Sequence, residues 1–154
     1  MTGLTVFSYE HYMQQAYQQA MRGREEGEVP VGAVVVCRQQ IIAKAYNQTE
    51  KLQDVTAHAE MLAITAAAHH LGAKYLTDCS LFVTLEPCFM CAGAIFWSQL
   101  KRLVFAANDP RKGYTIQEKK IGESLLHPKT EVSSGLMAEE SKLLLDDFFR
   151  ELRN

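Results

Sequence analysis

The chain of 154 residues is 47% hydrophobic and 22% charged, proportions typical of a soluble globular fold with one core. Its formal net charge of −2 argues against a broad basic surface for nucleic acid, although a neutral protein can still carry a local basic strip. No apolar run reaches the length of about 18 residues that a membrane span needs, and the N-terminus lacks the features of a secretory signal. We therefore predict one domain over residues 1–154, located in the cytoplasm, with no membrane segment.

The predicted elements alternate between helices and strands along the chain. Helical spacing of apolar residues predicts a first helix over residues 9–26. Apolar runs and cap or stop signals then predict strands at 31–37, 41–46, 80–85 and 102–106, and helices at 56–70, 88–98 and 138–152. Thr56 is the predicted N-cap of the second helix, and turn formers at 108–113 predict a loop. Residues 114–135 predict no more than one short strand near Val132.

This alternation predicts an α/β fold, a three-layer α/β/α sandwich around a mixed central sheet. The final helix is predicted to be amphipathic, with an inner face formed by Leu143, Leu144, Phe148 and Leu152. Ligands of such sheets bind where strands end and helices begin. His58 and Cys88 both lie at predicted helix starts, so we expect the functional site there.

Four cysteines occur in the chain: Cys37, Cys79, Cys88 and Cys91. In a reducing compartment, closely spaced cysteines bind metal or carry out redox chemistry. The surroundings of Cys37 and Cys79 predict ordinary buried thiols. The spacing of Cys88 and Cys91 alone fits a redox pair, a structural zinc site or part of a catalytic metal site. The flanking aromatic and Gly-Pro pattern of a thioredoxin-like dithiol is missing.

A second motif, His58-Ala-Glu60, favours the catalytic metal site. Cys91 follows Cys88 by three residues on one helical face, and a helix N-terminus favours ionised thiols. Together with His58 they are three zinc ligands. Three protein ligands with one open position are the pattern of catalytic zinc, whereas structural sites are closed by four.

Other residues offer no clear fourth ligand. His69 and His70 lie roughly 16 Å along the helix from His58, at ~1.5 Å per residue, which is too far for a shared metal. Cys37 and Cys79 are not excluded by the sequence alone. A structural zinc site therefore stays open as an alternative at this point.

Glu60 is too close to His58 in sequence to ligate from the same helical face, but it is well placed to approach a water on the metal. Zinc lowers the pKa of such a water toward ~7. A neighbouring carboxylate can take the water's proton and pass it to a leaving amine. This chemistry suits hydrolytic deamination, in which water adds to a ring carbon that carries an amino group and ammonia leaves.

The combination H-x-E…P-C-x-x-C is the signature of zinc nucleobase deaminases. Further motifs extend from the first helix to the last: Glu28-Val-Pro-Val-Gly-Ala33, Asn47, Thr56-Ala-His-Ala-Glu60, Thr84-Leu-Glu-Pro-Cys-Phe-Met-Cys-Ala-Gly-Ala94, Val104-Phe105, Asp109 and Asp147-Phe-Phe149. On these residues the chain resembles the bacterial tRNA-specific adenosine deaminases of the cytidine deaminase-like superfamily.

The resemblance implies a set of site residues. His58, Cys88 and Cys91 would bind one Zn²⁺ per subunit, and Glu60 would be the catalytic residue that shuttles protons. Asn47 would hydrogen-bond the purine, since its amide is both donor and acceptor. The base pocket would be completed by Val29 and Pro30, with backbone contacts from Ala57 and Glu86.

The resemblance also implies the substrate and the assembly. The expected reaction converts the wobble adenosine of a tRNA anticodon loop to inosine, and an unpaired loop base flips out at little cost. The flanking nucleotides would lie along the loop of residues 108–112, where Asp109 is a further expected RNA contact, and along the last helix. Their phosphates would meet the basic side chains of these two segments: Arg111, Lys112, Arg150 and Arg153. A homodimer that binds one tRNA with both subunits is also expected.

Two alternatives stay open beside this hypothesis. Guanine and cytosine deaminases share the zinc motif and the glutamate, but act on free bases or nucleosides. A non-catalytic module that keeps zinc only for folding is the other alternative. The intact Glu60 argues against that module, because a structural site has no use for a carboxylate there.

Overall fold

The computed structural model describes residues 6–154, with side chains described from Tyr9 onward. Five helices and five strands occur in this part of the chain: α1 (Val6–Glu25), β1 (Gly32–Cys37), β2 (Gln40–Tyr46), α2 (Ala59–Leu71), β3 (Cys79–Leu85), α3 (Phe89–Ser98), β4 (Arg102–Ala107), α4 (Tyr114–Ile121), β5 (Glu131–Ser134) and α5 (Ala138–Arg153). None of these helices combines the length and apolar character that a bilayer crossing requires.

The strands form one mixed sheet in the order β2-β1-β3-β4-β5. β1 is antiparallel to both β2 and β3, whereas β3, β4 and β5 are mutually parallel. Alternate residues of the central strands point to opposite faces, as the two-residue period of a strand requires. Val35, Leu81 and Phe105 therefore join one hydrophobic cluster, and Val34, Phe82 and Val104 join the other.

Helices cover both of these clusters. Small residues of α2 and α3 and Tyr114 of α4 pack on one face of the sheet, while Tyr12, Met13 and Ala16 of α1 pack on the other. α5 contacts α1, β3 and β4. The predicted three-layer sandwich with a mixed central sheet is confirmed.

Gly32 allows α1 to lie directly against the start of β1. A Cβ at this position would lie 2.8 Å from the Gln19 Cβ and would overlap the backbone of Ala16 and Ala20. We expect Gly32→Ala to lower the free energy of unfolding by about 1–3 kcal/mol, the usual cost of overpacking a core. Denaturant unfolding followed by circular dichroism measures this change, and an unaltered midpoint would show that α1 can shift without cost.

Three sequence predictions need correction. Thr56 is not the cap of α2: the helix has His58 as its N-cap residue, and the Thr56 hydroxyl donates to Asp54 instead. The buried side chains of α5 are Ser141, Leu144, Leu145 and Phe148. Leu144 and Phe148 were predicted correctly, whereas Leu143 and Leu152 are exposed. Leu145 joins the core in place of Leu143, and Leu152 lies in the last turn of the helix.

The segment 114–135 holds more structure than predicted. The short strand near Val132 is confirmed as β5, but α4 was not predicted. Its apolar residues are few, and Gly113 precedes it as an N-cap residue without a side chain to signal a helix start. Long-range contacts described below hold this helix start in place.

Candidate active site

The ends of three segments bring the predicted zinc ligands together. His58 and Cys88 are the N-cap residues of α2 and α3, and both have extended backbone angles. Cys91 lies in the first turn of α3 and is fully buried. Since β3 leads directly into α3, the cluster sits at the carboxyl end of that strand, where ligands of α/β sheets bind. The prediction that both motifs lie at helix starts is confirmed.

The three side chains fit a tetrahedral zinc ion. Their ligand atoms lie within 4.8 Å of one another, and no other such group of His, Cys, Asp or Glu occurs among the described residues. The Nδ1 atom of His58 is 3.7 Å from the Cys88 Sγ and 3.5 Å from the Cys91 Sγ. Ligands ~2.3 Å (sulfur) and ~2.0 Å (nitrogen) from a tetrahedral zinc would lie about 3.5 Å apart. The donor set and its spacing therefore fit zinc without rearrangement.

No other cysteine closes the site. Cys37 pairs with Cys79 across β1 and β3, and both are buried free thiols, as predicted. Cys79 begins β3 and the zinc ligands follow its end, a separation of about 20 Å at ~3.3 Å per residue. A tetrahedral zinc held by these three side chains would therefore keep its fourth position for a non-protein ligand, which is the catalytic pattern.

The ligands perturb each other's ionisation. A hydrogen bond with the Cys91 thiol lowers the pKa of Cys88 to about 3, and His58 adds to this effect. The same hydrogen bond and burial raise the pKa of Cys91. One thiolate is therefore ready at the start of α3, and the thiolate is the form that binds metal.

Glu60 lies in the first turn of α2 and is only 4% exposed. Burial raises the pKa of its carboxyl to about 7. The carboxyl and the Cys91 thiol are close enough to shift each other's pKa, so Glu60 lies beside the ligand triangle without being part of it. A carboxyl in this position can exchange a proton with a molecule in the open metal position.

The predicted base-pocket residues lie on neighbouring segments at the same end of the sheet. The Asn47 N–H donates to the Val31 carbonyl at 3.0 Å, and the Gln48 N–H donates to the Ala57 carbonyl at 2.9 Å. The first bond holds the segment of Val29 and Pro30 against the end of β2. The second bond holds Ala57, the residue before His58, against the same strand end. Asn47 follows β2 directly and is buried.

Residues 7–107 match the family model of the cytidine and deoxycytidylate deaminase zinc-binding region. This span contains all three zinc ligands and Glu60. The chain belongs to this family of zinc-binding deaminases. Zinc is therefore its cofactor, and His58, Cys88 and Cys91 form its zinc site.

Three individual proteins show how far the likeness to known deaminases extends. The tRNA-specific adenosine deaminase of Aquifex aeolicus is 43% identical over 94% of this chain and 96% of its own length. A solved structure from work on A-to-I editing by tRNA:A34 deaminases at the wobble position of transfer RNA is 40% identical, with a TM-score of 0.82 over 88% of this chain and 99% of that one. A solved guanine deaminase of Bacillus subtilis is 36% identical, with a TM-score of 0.65 over 75% of this chain and 77% of that one.

In this deaminase, residues 108–113 form a loop, here called the basic loop, that borders the zinc site. Gly113 forms an isolated β-bridge with Cys88. The pKa of His58 is raised, mainly by its hydrogen bond with the Cys88 thiol, and the Lys112 ammonium is close enough to oppose that rise. The Asp109 carboxylate accepts hydrogen bonds from the backbone N–H groups of Arg111 and Lys112, at 3.0 and 3.1 Å. Asp109 therefore shapes the loop, whereas the Arg111 and Lys112 side chains extend into solvent.

The basic residues of α5 are not joined to the site in the same way. Arg150 forms an ion pair with Asp147 at 3.2 Å, and Arg153 is exposed near the chain end. No contact among residues 6–154 links either arginine to the zinc ligands. Their predicted role with RNA stays a prediction.

The sequence did not predict a role for the side chains of two buried glutamates in this deaminase. Glu28 is 1% exposed and accepts hydrogen bonds from the backbone N–H groups of Glu50 and Lys51, which holds the loop before α2. Glu86, predicted only as a backbone contact, uses its side chain on the basic loop and α4. The one sequence signal for both side-chain roles is a glutamate inside an apolar motif. A glutamate is rarely buried without a partner, so its position there indicates a hydrogen-bonded carboxylate.

Proposed function

We propose that this deaminase converts the wobble adenosine of a tRNA anticodon loop to inosine, with release of ammonia. The observation that carries the proposal is the open three-ligand zinc site with Glu60 beside it. The relative from Aquifex aeolicus, named a tRNA-specific adenosine deaminase, supports the choice of substrate because it matches 94% of this chain. The guanine deaminase of Bacillus subtilis is less similar, at 36% identity over 75% of this chain.

The residues around the site have distinct roles in this reaction. When zinc is bound to His58, Cys88 and Cys91, it acts as a Lewis acid that makes an attacking water acidic. Glu60 takes one proton from the attacking water and gives it to the purine nitrogen as oxygen adds to the ring carbon. It then takes the second proton from the added hydroxyl and gives it to the amine, so that the carbon–nitrogen bond breaks, a carbonyl forms and ammonia leaves. The buried Asn47 amide donates to and accepts from the purine edge, which fixes the ring over the site. Val29 and Pro30 flank the base, and backbone groups of Ala57 and Glu86 complete the pocket.

A wobble adenosine suits a site at the protein surface. A base in an anticodon loop is unpaired, so extrusion costs less than it would in a duplex. The basic loop provides Arg111 and Lys112 next to the zinc ligands, where phosphates that flank the flipped nucleotide would lie. Because tRNA is a cytoplasmic substrate, we place the enzyme in the cytoplasm.

A substrate panel tests the proposal. Zinc-loaded protein is offered an anticodon stem-loop with a wobble adenosine, free guanine and free cytosine, and the products are identified by chromatography. We expect inosine from the RNA and no xanthine or uracil from the free bases. Xanthine without inosine would replace the proposal by guanine deamination.

We also propose a homodimer that forms through the outer face of α3. Phe89 and Trp97 are 59% and 74% exposed, and with Gly93 they are spaced four residues apart on one side of the helix. A Cβ at Gly93 would meet no atom within 4 Å, so the fold of one chain does not require glycine there. A second helix could approach closely at this point. The face begins next to Cys88, which would place two active sites near one RNA.

The dimer predicts the effect of a charge on this face. Wild-type protein should have twice its chain mass of 17.3 kDa in light scattering, and Trp97→Glu should weaken association at least about tenfold, since buried aromatic anchors dominate interfaces. Leu143→Glu is the matched control, because Leu143 is also exposed but lies on α5. A wild-type monomer, or equal dissociation of both variants, would exclude this interface.

A further inference from the structure

Glu86 carries a buried carboxylate that takes no part in the proposed proton transfers. The residue is 3% exposed, and a buried charge is stable only when hydrogen bonds satisfy it. Its Oε1 atom accepts from the Asn108 side-chain amide at 3.2 Å and from the Asp109 N–H at 3.0 Å. Its Oε2 atom accepts from the Thr115 N–H at 3.0 Å and from the Thr115 hydroxyl at 2.7 Å. Four donors therefore converge on one carboxylate.

These donors come from both ends of the basic loop. Asn108 and Asp109 begin the loop, and Thr115 lies in the first turn of α4, immediately beyond it. Backbone contacts run beside them: the Glu86 N–H donates to the Ala107 carbonyl at 2.8 Å, and the Tyr114 N–H donates to the Pro87 carbonyl at 2.9 Å. Both ends of the loop are thus attached to the short segment that leads into Cys88.

Gly113 shows how closely the loop and the carboxylate approach. Its backbone angles, φ −62° and ψ 144°, are open to any residue, so its conformation does not require glycine. A Cβ at this position would overlap the Glu86 carboxylate. The glycine is therefore required by the space that Glu86 occupies, and the two residues form one packed unit.

We infer that Glu86 is a positioning residue: its carboxylate holds the basic loop at a fixed place relative to the zinc site, so that Arg111 and Lys112 meet the RNA beside the flipped base. The inference rests on the proposed function. Arg111 and Lys112 are exposed, and no ion pair among the described residues fixes their side chains. Their location relative to the zinc ligands depends on the backbone of the loop, which Glu86 anchors at both ends.

The donor pattern makes glutamine a poor substitute for Glu86. A carboxylate has only acceptors, whereas a glutamine amide replaces one oxygen with an NH₂ donor. In one orientation that NH₂ group would face the donors of Asn108 and Asp109. In the other orientation it would face the N–H and hydroxyl of Thr115. We expect Glu86→Gln to raise the KM for an anticodon stem-loop about tenfold, the scale of losing charge-assisted hydrogen bonds, while kcat changes less than about twofold and zinc content is unchanged.

The experiment uses full-length, zinc-loaded protein and steady-state kinetics on the stem-loop. Glu118→Gln is the matched control, because Glu118 lies on α4 and accepts a hydrogen bond from the Leu125 N–H, away from the basic loop. It should leave KM unchanged. An unchanged KM in Glu86→Gln, or a fall in kcat alone, would overturn the inference, because a purely structural role would not shift KM selectively.

Two further variants decide the matter if Glu86→Gln binds zinc poorly. Thr115→Val removes one donor and leaves the carboxylate, and we expect a smaller rise in KM in the same direction. Gly113→Ala should raise KM in the wild-type background but add nothing in a Glu86→Ala background, where the Cβ has room; such non-additivity is typical of residues in direct contact. An unchanged KM in Thr115→Val, or additive effects in the double variant, would overturn the inference.

The outcome separates the inference from the proposed function. If wild-type protein does not deaminate the stem-loop, the proposed function fails before any variant is compared. If wild-type protein is active and KM is the same in all loop variants, only the positioning role of Glu86 fails.

Discussion

Glu60→Ala is expected to abolish measurable deamination while zinc remains bound. The ligand atoms belong to His58, Cys88 and Cys91, so the loss of the Glu60 side chain removes none of them. General acid–base catalysis contributes ~10²–10⁴-fold to rate, and Glu60 carries out more than one proton transfer in the proposed reaction. We therefore expect kcat to fall by at least about 10³-fold. Metal analysis and an ammonia-release assay on the same preparation measure the two quantities.

Glu60→Gln is the matched variant for this test. It keeps the size and packing of the buried side chain, which is 4% exposed in the native protein, but it cannot take up a proton. It should be as inactive as the alanine variant. Retained turnover in either variant would contradict the assigned role, and loss of zinc from both would make Glu60 part of the metal site.

Cys88→Ala is expected to lower zinc content and thermal stability together. Two of the three protein ligands would remain, and metal binding is linked to folding because the ligands converge only in the native chain. Zinc at about 100 times its dissociation constant stabilises a protein by about 2.7 kcal/mol. For a chain of this size that corresponds to a decrease in Tm on the order of 5–10 °C. Metal analysis and a thermal melt check the prediction.

Cys37→Ala serves as the control for this prediction. Cys37 is also a buried thiol, but it pairs with Cys79 at the far end of β3, so its variant should keep zinc and activity. A chelator should lower the Tm of wild-type protein and leave that of Cys88→Ala unchanged. Full zinc content in Cys88→Ala would remove Cys88 from the ligand set.

The zinc site was predictable because each motif is local. His58 and Glu60 lie within three residues of each other, and so do the start of α3 and Cys91. Helical spacing then determines which side chains in such a short motif share one face of the helix. The spatial distance between the His58–Glu60 motif and the Cys88–Cys91 motif was not predictable from the periodicity of the sequence. The structure supplies it through the sheet, since the end of β3 leads into Cys88 while the end of β2 leads to Asn47 and the start of α2.

The parts that could not be predicted depend on long-range partners. α4 begins beside Glu86, which lies 29 positions before Thr115, so the local sequence contains little of the signal. Thr56 has a side chain that is typical of an N-cap, yet its hydroxyl donates a hydrogen bond to the Asp54 carboxylate instead. In α5, helical periodicity allowed two neighbouring stripes, and packing against the sheet selected Leu145 in place of Leu143.

The most direct test of the account is the fate of the wobble adenosine. Wild-type protein with zinc is incubated with an anticodon stem-loop in water enriched in heavy oxygen, and the RNA is digested and read by mass spectrometry. We expect inosine that carries oxygen from the water at the wobble position, and none with Glu60→Ala. An unchanged wobble adenosine, or inosine spread equally over other adenosines of the loop, would contradict it.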